Sequence, residues 1–166
     1  MSRMPPTIVV LLLGLVPSLR GQSWQADDLK GLDTVDVMIE DLDEDLAEAK
    51  ILNVSEVVLQ TKTELQLRQY GIPVAPAGSL HPTVYVRVNA DRRADTEVCY
   101  WTVSVEVHEG VRFQRGTLPM STIVTVWANS SINFQGCDYA GESVIEDVLR
   151  LVEMFINDYL SVNPRG

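Results

Sequence analysis

The clearest hydrophobic pattern in the chain is a strict alternation of apolar and polar residues between Glu97 and Arg115. Its apolar phase consists of Cys99, Trp101, Val103, Val105, Val107, Val111 and Phe113. Such alternation is typical of a β-strand that has one buried face and one face in water. If straight, these 19 residues would span about 60 Å. We therefore expect a bend near Gly110 and two partner strands at different heights.

Shorter alternating segments predict three more strands, at Thr34–Asp41, Thr83–Asn89 and Ser121–Ala128. We expect Thr83–Asn89 to pair with the first half of the long strand and Ser121–Ala128 with its second half. The polar stretch 129–140 predicts an irregular loop. The same alternation predicts a solvent-facing set of side chains that comprises Tyr85, Arg87, Tyr100, Thr102, Ser104, Ile123, Thr125 and Trp127.

Two amphipathic segments predict helices, at Asn53–Tyr70 and from about Glu142 to Val162. Asn53 and Glu56 have the spacing of a capping box at the start of the first helix, and Gly71 is suited to end it in the left-handed conformation. The buried stripe of this helix is predicted to contain Val54, Val58, Thr61 and Leu65.

The order of these elements is strand–helix–strand–strand–strand–helix, which predicts an α+β fold. We expect one four-stranded, mostly antiparallel sheet with two helices packed on one of its faces. The whole of residues 22–166 is predicted to form a single domain, because no linker composition interrupts it.

The first 21 residues have the pattern of a secretory signal peptide. A positive start at Met1–Arg3 precedes an apolar run, Thr7–Val16, and small residues follow up to Gly21. The run is shorter than the ~20 residues that a membrane span needs, and no cysteine lies nearby to accept a lipid. We therefore expect a soluble exported protein, periplasmic or secreted, with no transmembrane segment after cleavage near Gly21–Gln22.

Charge limits the classes of partner. The chain has a net charge of −10, and loss of Arg3 and Arg20 with the predicted signal peptide would make it more negative. This field repels phosphate backbones and anionic lipid surfaces, so nucleic acid is not an expected partner.

Cys99 and Cys137 are the two cysteines of the chain. In an oxidising compartment they can form a disulfide, worth about 4 kcal/mol for a loop of this length. Two unpaired thiols are the alternative.

Catalytic motifs are absent from the sequence. His81 and His108 have no flanking pattern of a metal or nucleophile site, and the alternating acids Asp41, Asp43 and Asp45 lack the glycine and glutamate of a calcium loop. No metal or cofactor is expected. An enzyme whose site is assembled only by the fold is the alternative hypothesis, with His108, Glu106 and Cys137 as its members.

The solvent-facing side chains of the sheet are the better candidates for a functional site. They mix aromatic rings, hydroxyls and arginine, a composition found in recognition surfaces. The residues predicted to bind are Tyr85, Arg87, Tyr100, Thr102 and Trp127. Cross-strand pairing that only stabilises the sheet is the alternative explanation of the same composition.

Two segments carry a resemblance to known proteins. Glu64–Val74 (ELQLRQYGIPV) and Phe155–Pro164 (FINDYLSVNP) resemble a pattern in small exported bacterial proteins of unknown function. That resemblance implies no activity and assigns no functional residue. More loosely, the element order is similar to that of envelope-assembly lipoproteins that help place lipopolysaccharide transporters, although this chain lacks their lipidated cysteine.

The sequence thus favours an exported binding or envelope-interaction protein without catalysis. A subunit of a homo-oligomer is a further class that it leaves open.

Overall fold

The computed structural model describes residues 24–40, 42, 52, 54–93 and 95–164. In chain order its elements are α1 (Trp24–Asp27), β1 (Asp36–Ile39), α2 (Glu56–Gln69), β2 (Thr83–Arg92), β3 (Val98–Arg115), β4 (Leu118–Gly136) and α3 (Cys137–Val162). The predicted α+β fold is confirmed. The predicted signal peptide and the acidic residues Asp41, Asp43 and Asp45 lie outside the described residues.

The sheet has the order β1-β2-β3-β4 and is mixed. The pairs β2–β3 and β3–β4 are antiparallel, but β1 runs parallel to β2. The expectation of a mostly antiparallel sheet was therefore wrong at this edge. The reason is the connection: α2 lies between β1 and β2, and such a crossover returns the chain to the end of the sheet from which it started.

The long strand is confirmed as β3, and it has two partners. β2 pairs with Cys99–His108, as expected. β4 pairs with all of β3, from Val98 opposite Gly136 to Arg115 opposite Leu118. The predicted loop at 129–140 was therefore wrong, since strand and helix follow each other directly there. The turn between β3 and β4 is short, and Gly116 takes a φ of 66° in it.

Helix α2 begins later than predicted and buries a different stripe. Its N-cap is Ser55, whose hydroxyl accepts a hydrogen bond from the amide of Val58 at 3.3 Å. Its buried residues are Leu59, Thr63 and Leu67. Of the predicted stripe, Val54 is buried but precedes the helix, whereas Val58, Thr61 and Leu65 are exposed, so the stripe within the helix was wrong. The predicted helix end is confirmed: Gly71 has a φ of 64°, and the amide of Ile72 donates to the carbonyl of Leu67 at 3.0 Å.

The core lies between one face of the sheet and the two long helices. α3 packs on β3, β4 and α2, and α2 packs on β1, which confirms the two helices on one face. Fully buried side chains of α3 include Val144, Val148, Leu151, Phe155 and Ile156. They meet the alternate residues of β3, which are also buried. We call this side of the sheet the inner face. Among the described helices, none is long and apolar enough to cross a membrane.

Candidate binding site

The opposite side of the sheet, the outer face, carries no helix in the part of the chain that the structure describes. The side chains of β2 and β3 that point there are half-buried or exposed, in alternation with the buried ones. Because a period of two separates the two faces, Tyr85 and Arg87 of β2 share the outer face with Tyr100, Thr102 and His108 of β3. The prediction that these residues face away from the core is consistent with this arrangement.

Trp127 does not belong to the outer face. Val107 pairs with Trp127, but His108 pairs with Thr125, so Val126 is an extra residue in β4. This β-bulge reverses the phase of the strand. Thr125 and Ile123 stay on the outer face as predicted, whereas Trp127 turns inward and is 1% exposed. Its indole Nε1 donates to Asp158 Oδ2 at 2.9 Å, and its ring packs edge-on against Phe155. Trp127 is therefore a core residue.

A connected polar and aromatic group occupies the centre of the outer face. The rings of Tyr85 and His108 stack with their centroids 5.0 Å apart and their planes 20° from parallel. The guanidinium carbon of Arg87 lies 5.6 Å from the centroid of the Tyr85 ring. Arg87 Nε donates to the carboxylate of Glu40, and His108 Nε2 lies 2.8 Å from Glu106 Oε2.

The register of the strands explains this group. Thr83 pairs with His108 and Tyr85 pairs with Glu106, so Tyr85 and His108 are diagonal neighbours on one face. The hydrogen bond to Glu40, followed by the contact with Tyr85, raises the pKa of Arg87 above its ordinary value. Arg87 is therefore charged at any physiological pH, and its partner Glu40 balances that charge.

Beside the stacked rings the outer face forms a concavity of about 540 Å³. We call it the Tyr85 pocket. Its lining residues are Met38, Ser79, Leu80, His81, Thr83, Tyr85, Arg87, His108, Gly110 and Ile123. Strands β1 to β4 supply its floor and the loop that holds Ser79–His81 supplies a wall. It brings together His81 and His108, which are distant in the sequence.

The loop at the wall is attached to β1. Ser79 Oγ donates to Asp36 Oδ2 at 3.3 Å, and Asp36 is 1% exposed. The amide of Asp36 also donates to the carbonyl of Pro82 at 2.9 Å. These two contacts hold the loop on both sides of His81, so the wall has a defined position relative to the floor.

Three side chains of the Tyr85 pocket are apolar and exposed. Leu80 is fully exposed, Ile123 is 72% exposed and Met38 is 44% exposed. Apolar groups left in water around a concavity are typical of a surface that another molecule covers. Sequence reasoning missed Met38, Leu80 and His81, because only the parallel pairing of β1 and the attachment of the loop bring them to Tyr85.

The other two predicted binding residues lie elsewhere. The Tyr100 hydroxyl donates to the carboxylate of Asp91, and the ring is opposite Phe134 in the sheet. Thr102 is opposite Ile132. Tyr100 is eight residues from His108 along β3, which corresponds to about 26 Å. Tyr100 and Thr102 therefore do not contribute to the Tyr85 pocket.

Cys99 and Cys137 form a disulfide with a Cα–Cα distance of 5.0 Å, which confirms the predicted pairing. A bonded sulfur has no thiolate with which to attack a substrate. The hypothesis that Cys137 acts with His108 was therefore wrong. Cys99 also lies nine residues before His108 along β3.

A second polar cluster lies on the inner face, beneath α3. Asp147 is 8% exposed and accepts hydrogen bonds from Trp101 Nε1 at 2.9 Å, Asn133 Nδ2 at 2.7 Å and Arg150 at 3.0 Å. Burial by itself raises the pKa of Asp147, but these three donors outweigh it and the net pKa is lowered. Because its acceptor atoms are occupied, this carboxylate orients α3 on the sheet.

The described residues form no recognisable metal-binding site. No group of three or more histidine, cysteine, aspartate or glutamate side chains there is arranged to hold a metal ion. The described hydrogen bonds of His108 also include no hydroxyl or thiol that it could activate.

Comparisons with known proteins assign no family. No family model matches the chain, and no curated protein matches it. A solved structure of a minor lipoprotein from Acinetobacter baumannii is similar at 11% sequence identity and a TM-score of 0.33. That match covers 80% of this chain and 93% of the other.

Proposed function

We propose that the protein is an exported, non-catalytic binding domain of the cell envelope whose partner inserts an apolar group into the Tyr85 pocket. The observation that carries the proposal is the pocket itself: exposed Leu80, Ile123 and Met38 surround a pre-formed stack of Tyr85 and His108. The disulfide supports an oxidising compartment outside the cytoplasm.

The charges of the pocket support an uncharged ligand group. Arg87 is ion-paired with Glu40, and His108 Nε2 is hydrogen-bonded to Glu106. A ligand carboxylate or phosphate would have to compete with these internal partners. An aliphatic or aromatic side chain, in contrast, would bury Leu80 and Ile123 at about 25 cal/mol for each Å² removed from water. A protein partner that presents such a side chain fits best.

The proposal is tested by site-specific photocrosslinking in the producing cells. A benzoylphenylalanine at Leu80 should give one product of defined mass, because this side chain stands at the pocket wall. The same group at Val57, which is 73% exposed on α2, is the matched control and should not give that product.

Two further variants separate the pocket from the rest of the outer face. Tyr85→Ala should abolish the Leu80 product, whereas Thr102→Ala should leave it unchanged. Far-UV circular dichroism establishes that both variants fold. A product that survives Tyr85→Ala, or that appears equally from Val57, would exclude the pocket as the site.

A catalytic role is the second candidate, and one observation favours it. Both histidines line the pocket, and Glu106 is positioned to orient His108. If the purified chain hydrolysed a small ester and His108→Ala abolished that turnover with the fold intact, catalysis would replace binding as the function. Because no described nucleophile contacts His108, we expect no such turnover.

A further inference from the structure

The end of β3 and the start of β4 project together beyond the rest of the sheet. β2 begins at Thr83, opposite His108, so residues 109–124 have no third strand beside them in the described structure. From His108 to Arg115 the strand advances by seven residues, which corresponds to about 23 Å. A two-stranded hairpin on its own is at best marginally stable in water. We call residues 109–124 the hairpin arm.

The hairpin arm differs in charge from the rest of the molecule. The chain has a net charge of −10, but apart from Glu109 at the base of the arm, the charged residues of the arm are Arg112 and Arg115. Both are exposed, and neither has a carboxylate partner among the described residues. The other described arginines all form ion pairs; they are Arg68, Arg87, Arg92, Arg93 and Arg150. The unpaired guanidinium groups of the described structure are therefore concentrated on the arm.

One face of the arm is apolar and lies in water. Phe113 pairs with Met120 across the two strands. Arg115 pairs with Leu118 two positions further along, so both pairs share a face. Leu118 is 67% exposed, and Phe113 and Met120 are exposed as well. The arm thus presents three large apolar side chains with a cation at their end.

We propose that the hairpin arm inserts into the surface of a bilayer that contains anionic phospholipid. The guanidinium groups of Arg112 and Arg115 match the geometry of phosphate oxygens, and no described carboxylate competes for them. Exposed apolar side chains next to cations are also the combination by which amphipathic helices bind a membrane interface. Because no third strand satisfies the outer backbone groups of the arm, it enters only to the depth of the headgroups, where water remains available.

The acidic net charge of the protein does not prevent this contact. Acids on the body repel an anionic surface, but salt screens charges over about 8 Å at physiological ionic strength. Arg115 lies about 23 Å beyond the end of β2, which is nearly three times that distance. The bilayer therefore meets the cations and apolar groups of the arm, while the repulsion from the body is screened. The expected repulsion of anionic lipid applies to the body and not to the arm.

Flotation with lipid vesicles tests the proposal on the protein purified after export. Wild type should bind vesicles of equimolar phosphatidylglycerol and phosphatidylcholine at least about tenfold more tightly than vesicles of phosphatidylcholine alone. The double variant Arg112→Gln/Arg115→Gln should weaken binding to the anionic vesicles about 25-fold, or about fivefold for each lost cation. The matched control is Arg92→Gln/Arg93→Gln, which changes the net charge equally at the other end of the sheet, where Arg92 pairs with Cys99. It should bind within about twofold of wild type.

A second pair of variants tests the apolar contribution. Leu118→Ser should weaken binding to the anionic vesicles about tenfold, because this side chain would no longer leave water on insertion. Val57→Ser removes a similarly exposed side chain from α2 and should leave binding unchanged. Insertion itself is seen with Leu118→Trp, whose added emission should shift to the blue when anionic vesicles are mixed in. Far-UV circular dichroism establishes that each variant folds.

Several outcomes would overturn the proposal. They are a wild type that does not float, equal binding to both kinds of vesicle, and an equal loss in the two arginine double variants. If wild type ignored the vesicles but a benzoylphenylalanine at Leu118 captured an acidic protein in the producing cells, a protein would occupy the arm instead of a bilayer. None of these outcomes bears on the Tyr85 pocket, because Arg112, Arg115 and Leu118 do not line it.

Discussion

Replacing Asp147 by alanine removes a buried carboxylate on which three donors converge. Trp101 is 2% exposed, and its indole N–H would lose the acceptor that it has in the described structure. Such an orphaned donor costs roughly 1–3 kcal/mol, and the lost bond from Asn133, which is exposed and can rehydrate, adds about 0.5–1.5 kcal/mol. Arg150 is half exposed and can rehydrate, so its contribution is about 0–1 kcal/mol. We therefore expect Asp147→Ala to lower the free energy of unfolding by about 1.5–5.5 kcal/mol.

The isosteric change Asp147→Asn should cost less, about 1–2 kcal/mol, because an amide oxygen can still accept from Trp101 but without a charge. Glu153→Gln is the control, since it neutralises an exposed acid on the same helix. Its effect should be within about 0.5 kcal/mol of zero. Urea unfolding followed by tryptophan fluorescence measures all four proteins.

The pH dependence provides an independent check on the same carboxylate. Because the pKa of Asp147 is lowered in the folded state, its stabilisation is fully present above the ordinary carboxyl pKa of about 3.9. It is lost as the pH falls through the lowered folded pKa. The stability difference between wild type and Asp147→Asn should therefore shrink in this acidic range. A difference that grows on acidification, or an Asp147→Ala cost no larger than that of Glu153→Gln, would refute the argument.

Three further changes test the rest of the fold. Replacing both Cys99 and Cys137 by alanine should lower the free energy of unfolding by about 4 kcal/mol in urea titrations, because the disulfide closes a loop of 38 residues. An effect below about 1 kcal/mol would contradict this entropy argument. Gly71→Ala should lower the free energy of unfolding by about 1 kcal/mol in the same assay, because the φ of 64° at this position is unfavourable for a residue with a side chain. A neutral result would mean that the helix end relaxes. Deleting Val126 should leave Thr125 opposite His108 and Trp127 opposite Val107, so the tryptophan emission should stay unchanged. A red-shifted emission would contradict this register.

The sequence predictions are most accurate for strands whose two faces differ clearly in polarity. β3 was predicted within one residue of its start, because its inner positions are apolar and its outer positions are polar. The second half of β4 was predicted as a loop because Asn129, Asn133 and Gln135 occupy inner positions. Their side chains bond to α3 rather than to the core, so hydrophobicity does not reveal which way they point.

Helix α2 shows the same dependence. Leu59 and Leu67 are buried, but Val58 and Leu65 are also apolar and stay 39% and 53% exposed. The sequence of this helix therefore contains two apolar stripes, and packing against β1 and α3 determines which of them is buried. The parallel β1–β2 pairing, in contrast, was within reach of the sequence, because the helix predicted between these two strands is the kind of crossover that parallel neighbours need.

The candidate site combines predictable and unpredictable parts for one physical reason. The alternation of polar and apolar residues placed Tyr85 and Arg87 on the outer face without knowledge of the fold. The face on which Trp127 lies, however, depends on a single extra residue, Val126. Without the bulge, Ile123 and Trp127 would share one face. Either the core would lose the indole that packs on Phe155, or the Tyr85 pocket would lose Ile123. Because the bulge reverses the phase between these residues, one strand serves both the core and the pocket, and its position is the feature on which the proposed binding function depends.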